Sequence, residues 1–124
     1  GKYRVVKSNY EQVGAGGLLT SVEDLGRWIR IYEYPDAIPG SPRLGQRLQQ
    51  LGQFSDGTRN DYAFGLLMGT ESGQAIASHE GFFPGYRAFF AWIPGKRTGL
   101  FAMCNASEVP MTAVANAMLA EVLR

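Results

Sequence analysis

Cysteine is nearly absent from this chain: Cys104 stands alone, which excludes an internal disulfide framework and cannot by itself supply a zinc or iron–sulfur site. Histidine is equally scarce, with His79 the only one, so a histidine-based metal shell has nothing to complete it. No metal and no cofactor are expected. No apolar run approaches the ~20 residues needed to cross a bilayer, and no basic segment followed by an apolar stretch opens the chain. An excess of one charge is missing too, since 12 Lys plus Arg face 11 Asp plus Glu for a net charge of +1. That field is too small to hold a polyanion, and nucleic acid is not an expected partner. What is present is a chain of 124 residues, 45% hydrophobic and 19% charged, long enough to bury roughly two-thirds of its unfolded surface in a single core. It starts at Gly1 and not at Met, which fits a processed or trimmed product.

Sixteen glycines and six prolines cut the sequence into short elements without any repeat period. Residues 1–12 read as one extended piece whose apolar content is Tyr3, Val5 and Val6. After the turn Gly14-Ala15-Gly16-Gly17, Thr20 and Glu23 have the spacing of a capping box. The helix it predicts carries Val22, Leu25, Ile29 and Tyr32 on one face and ends before Pro35. Ser41-Pro42 repeats the start signal for a second short helix with the stripe Leu44, Leu48, Leu51 and a stop at Gly52. From Asp61 the texture changes to aromatic, β-branched and small residues broken by turn pairs, which predicts strands over 62–70, 74–79, 86–93 and 98–104. Glu71-Ser72-Gly73 and Pro94-Gly95-Lys96-Arg97 are short enough to be hairpin connections, so those neighbours run antiparallel. Residues 109–123 carry Met111, Val114, Ala115, Met118 and Val122 at helical spacing. The expected fold class is therefore α+β, one domain over 1–124: a helical lead-in over 1–60, then an antiparallel sheet of about four strands with a C-terminal helix on one face.

Alternation in the strands adds a further constraint. In 86–93 one face holds Tyr86, Ala88, Phe90 and Trp92 and the other Arg87, Phe89, Ala91 and Ile93; in 98–104 both faces are again mostly apolar. Strands written this way are covered above and below. The C-terminal helix shields one face only, and the short upstream helices, with their narrow leucine stripe, leave part of the second face without cover.

A search for self-contained catalytic sets returns nothing complete. None of the seven serines lies in G-x-S-x-G or begins S-x-x-K, and neither Y-x-N nor S-x-N occurs. Gly14-Ala15-Gly16 opens like a dinucleotide loop, but Leu19 stands at the sixth position and no apolar strand precedes it. Lys96-Arg97-Thr98-Gly99 reads as a solvated hairpin tip. The remaining candidate is His79-Glu80-Gly81 with Phe82-Phe83-Pro84-Gly85-Tyr86-Arg87. Period-two alternation puts His79 and Gly81 on one face, turns Glu80 away, and leaves a glycine where a ligand can approach backbone.

In order and spacing these segments resemble the serine β-lactamase and penicillin-binding-protein-like hydrolases, especially the branch of class C enzymes, esterases and D-aminopeptidases. Residues 14–25 are similar to that family's Gly-Gly-Leu segment and following helix, Tyr62-Ala63-Phe64-Gly65-Leu66 to its Tyr-Gly-Leu-Gly strand, and His79-Glu80-Gly81 through Cys104-Asn105 to its third motif with the strands around it. The resemblance implies that His79-Glu80-Gly81 replaces K-T-G, with His79 and Gly81 lining an acyl-transfer site and the Phe82 N–H serving as one oxyanion donor. Glu80, Phe83, Tyr86 and Arg87 are expected at the substrate, Arg87 as a contact for an anionic group. It implies equally that S-x-x-K and the second-motif tyrosine or serine belong to a missing N-terminal portion of the same domain. The chain is then a C-terminal part, inactive alone, of a bacterial, exported hydrolase of β-lactams, peptides or esters. The alternative is a non-catalytic module that binds a partner, or itself, through open sheet edges.

Overall fold

A computed structural model describes residues 14–124; the extended piece expected over 1–12 lies outside the described residues. The elements follow in chain order as α1 (Val22–Trp28), α2 (Arg30–Glu33), α3 (Leu44–Leu48), β1 (Leu67–Glu71), β2 (Gln74–Phe83), β3 (Tyr86–Ile93), β4 (Thr98–Cys104) and α4 (Met111–Leu123). The strands form one antiparallel sheet in sequence order, β1-β2-β3-β4. Meander order needs only hairpin connections, and each has its chemistry. Ser72 and Gly73 both take positive φ (48° and 76°), as a two-residue turn with the twist of its flanking strands requires. Pro84 is followed by Gly85 at φ 84°, the pairing a type II turn favours.

The expected α+β architecture is the observed one, with local corrections. Ser21, not Thr20, caps α1: its hydroxyl accepts the Asp24 N–H at 3.2 Å, while Glu23 and Asp24 add negative charge at the helix start. The helix is interrupted at Ile29 and resumes as α2, and Tyr34, ahead of Pro35, is already extended (φ −116°, ψ 113°). No Ser41 cap forms, because Arg43 enters a left-handed conformation (φ 58°) before α3 begins; α3 then ends at Leu48, short of Gly52. Gly45 in α3 sits so close to α2 that a Cβ there would lie 2.1 Å from the Ile31 carbonyl oxygen.

Side chains alternate between two cores. On one face Ile76, Phe89, Ala91 and Ile93 pack with Met111, Ala115 and Leu119 of α4. On the other, Ala77 and Trp92 pack with Leu66, and Ile29, Tyr32 and Leu48 of the short helices close over them. Ile29 fits because Gly99 lies beneath it, where a Cβ would come within 2.4 Å of Ile29 Cδ1. Tyr32 stacks on Trp92 at 6.0 Å between ring centroids; its burial pushes the phenol pKa above the ordinary value, against a smaller lowering by its hydrogen bond with Trp28. The β3–β4 turn is solvent-exposed as expected, and Arg97 there also pairs with Glu33 at the end of α2.

Candidate active site

Two departures from the expected strand limits build the site. The stretch 62–66 is not part of β1 but a tight turn: the Ala63 N–H donates to the Leu66 carbonyl at 2.7 Å, the Met68 N–H to the Asp61 carbonyl at 2.8 Å, and Gly65 takes φ 75°. Tyr62 therefore doubles back beside Leu67, with which it makes a single bridge. In contrast, β2 does not stop at His79 but continues to Phe83. Its last partner on β1 is Ser78, opposite Leu67. Residues 79–83 thus run beyond β1 and pair only with β3.

Parity then decides which backbone groups are free. The residues flanking a two-residue hairpin face each other as a hydrogen-bonded pair, and pairs alternate along an antiparallel ladder. Counting from Phe83↔Tyr86, the pair Gly81↔Ala88 and then His79↔Phe90 exchange bonds with β3. Counting independently from Glu71↔Gln74, residues 74, 76 and 78 bond to β1. Both counts direct the N–H groups of Glu80 and Phe82 toward the side where β1 has ended. Among the described residues no loop or turn backbone takes up either group.

The same alternation sorts the side chains. His79, Gly81, Phe83 and Tyr86 share the face of Trp92, beyond the edge of its helical cover. Opposite Gly81 stands Ala88, and a Cβ at 81 would lie 3.1 Å from that of Ala88. Two small residues thereby leave a notch between His79 and the Phe83–Tyr86 end of the hairpin. Beside the notch the Tyr62 hydroxyl and His79 Nε2 are 2.8 Å apart, the rings edge to face at 5.7 Å. Tyr62 was legible only as part of a strand; its contact depends on the turn at Gly65.

Glu80 and Arg87, both expected at the substrate, project from the face opposite His79, Glu80 as the alternation predicts. Glu80 Oε1 accepts from the Thr112 hydroxyl of α4 at 3.3 Å. Arg87 lies over the Phe82 ring, 3.6 Å from its centroid, and donates from Nη1 to the carbonyls of Tyr86 at 2.7 Å and Phe83 at 3.2 Å. The guanidinium braces the hairpin tip instead of facing the notch. The tip is held again by Ser107, whose hydroxyl accepts the Gly85 N–H at 2.7 Å. Phe82, 78% exposed, has its ring with Arg87 on the face opposite His79, while its N–H lies at the strand edge beyond β1.

A histidine beside a glycine notch on a strand that outruns its neighbour leads directly to the family comparison: the Beta-lactamase family model matches residues 2–123. The chain belongs to the beta-lactamase family. It is a serine hydrolase-type domain, and the sheet with its C-terminal helix is consistent with the α+β fold of that family. A comparison with curated proteins gives no match. In this beta-lactamase-family chain no cluster of three or more His, Cys, Asp or Glu suited to a metal occurs among the described residues, and none of its described helices is long and apolar enough to cross a membrane.

Proposed function

We propose that this chain forms the H-x-G wall of an acyl-transfer site that hydrolyses an amide, β-lactam or ester, in the manner of the class C, esterase and D-aminopeptidase-like branch. The observation that carries the reading is the edge position of the Phe82 N–H, beside His79 and Gly81 and past the end of β1. A serine alkoxide attacking a carbonyl transfers negative charge to the carbonyl oxygen, and a preorganised N–H aimed at that oxygen is worth about 3–4 kcal/mol in the transition state. Collapse of the tetrahedral species expels the amine or alcohol and leaves an acyl-serine, which water then hydrolyses through the same oxyanion site. Gly81 keeps the approach to the strand open, His79 lines the notch as a hydrogen-bonding partner of the substrate, and Phe83 and Tyr86 flank it.

The nucleophile comes from elsewhere in this reading. These 124 residues contain no S-x-x-K and no Y-x-N, and acyl-enzyme chemistry does not proceed without an activated nucleophile. The segment that supplies them is the N-terminal portion of the same domain, seated over the uncovered end of the His79 face. Incubation of the chain with a chromogenic cephalosporin and with a short-chain nitrophenyl ester is expected to give background rates only, and an S-x-x-K helix is expected in the coding sequence upstream of Gly1. Saturable hydrolysis by the chain itself would contradict the proposal. Background rates together with tight binding of a defined extended peptide along residues 79–83 would favour the non-catalytic module, since an open strand edge also suits β-augmentation.

A further inference from the structure

The contact between Tyr62 and His79 brings together two side chains 17 residues apart, one on the turn before β1 and the other on β2 just past its last pairing with β1. Tyr62 is held before it meets the imidazole: its own N–H donates to Asn60 Oδ1 at 2.9 Å, it bridges to Leu67, and the hydrogen bonds closing 61–68 fix the turn on either side of it. His79 is held from the opposite direction by its pairing with Phe90 in the sheet. Two rings anchored on separate backbones meet at 2.8 Å between the hydroxyl oxygen and Nε2. In a neutral imidazole one ring nitrogen donates and the other accepts, and the partner of one decides the state of the other. The 2.8 Å contact is compatible with either direction, but a phenol O–H is the stronger donor of the two groups and the unprotonated imidazole nitrogen the stronger acceptor, which favours a bond from Tyr62 to Nε2 with the proton on Nδ1. Among the described residues Nδ1 has no hydrogen-bond partner.

We propose that Tyr62 is a positioning residue that fixes His79 in its Nδ1-protonated tautomer, so that the neutral imidazole presents an N–H donor, and not a lone pair, to whatever enters the notch. The use of that donor rests on the acyl-transfer reading, where it would meet an acceptor oxygen of the substrate; the tautomer itself does not. A substrate carrying a carboxylate or carbonyl oxygen one hydrogen bond from His79 fits this arrangement, whereas one offering an N–H at that position leaves two donors facing each other, an unpaired and costly contact.

The test is long-range proton–nitrogen correlation spectroscopy on the 15N-labelled chain at alkaline pH, where an imidazole is neutral, for the wild-type chain and for Tyr62→Phe. The wild-type chain is expected to show a pyrrole-like Nδ1 and a pyridine-like Nε2. In Tyr62→Phe, which removes only the hydroxyl, the ratio of tautomers is expected to move about 5- to 10-fold toward Nε2–H, the size of effect one ordinary hydrogen bond supports. Amide shifts of Gly81, Ala88 and Trp92 serve as the check that the sheet is intact. A wild-type spectrum dominated by Nε2–H would overturn the inference whatever the variant does, and so would an unchanged tautomer ratio in a folded Tyr62→Phe. Neither result touches the acyl-transfer proposal, which stands or falls on hydrolysis and on the upstream motif.

Discussion

On its α4 side the sheet seals Ile76, Phe89, Ala91 and Ile93 under Met111, Ala115 and Leu119, with Ile93 fully buried. On its other side the same strands bury Ala77 and Trp92 under three short helices and then run out of cover, leaving His79, Tyr86 and Met103 exposed at the far end. The sealed face is finished by one amphipathic helix of 13 residues; the open face is finished by pieces of 4 to 7 residues that rely on close backbone contacts. A sealed core and an open face thus lie on opposite sides of one sheet. Polar side chains near the hairpin illustrate it: Glu80 and Arg87 tie the closed side together, while His79 faces the notch with one ring nitrogen uncommitted.

Breaking the sealed face should cost most. Ile93→Ala is expected to lower unfolding stability by about 4 kcal/mol, from lost transfer energy plus an unfilled cavity, seen as a fall in denaturant midpoint with loss of α4 helicity. Next comes the partial cover. Gly45→Ala places a methyl against the Ile31 carbonyl, a backbone atom that cannot swing aside, and should cost about 2–3 kcal/mol; Gly99→Ala meets Ile29 side-chain atoms from Cδ1 back to Cβ, which can shift by repacking, and should cost less. If both glycine variants unfold with the same midpoint as the wild-type chain, the helical layer is not seated as described.

Much of this architecture was legible because its signals are local. The bounds of β3 and β4 and nearly all of α4 follow from alternation and helical spacing, and the doubly apolar strands announced a sheet with two cores. The site was harder to read because it depends on where pairing stops. Glu80-Gly81 resembles a strand end, yet β2 continues through it, since β3 alone can hold that segment once the hairpin at Pro84-Gly85 closes. Residues 62–66 resemble a strand, yet a positive φ at Gly65 folds them back and delivers Tyr62 to His79. Alternation placed Arg87 opposite Tyr86 within β3, but which of those two faces His79 shares follows only from the β2–β3 register.

Two smaller effects sharpen the contrast between the faces. Met103→Ser, on the open side, should shift stability by no more than about 0.5 kcal/mol, against several for a core methionine such as Met111 on the sealed side; equal losses would mean that the open end is covered. Burial of Tyr32 raises its folded-state pKa above the unfolded value, so its contribution is fully present below the ordinary phenol range and is lost as pH rises through the folded pKa. Alkaline unfolding followed by tyrosinate absorbance should therefore move to higher pH in Tyr32→Phe, provided the variant is compared with wild type at equal neutral-pH stability.

Amide hydrogen exchange along β2 tests the heart of the account most directly. Slow exchange at His79, Gly81 and Phe83 alternating with fast exchange at Glu80 and Phe82 is the predicted pattern, because only the first set donates to β3. Protection at Phe82 equal to that at Gly81 would mean that its N–H is already spent, and the chain would then have no donor to offer a developing oxyanion.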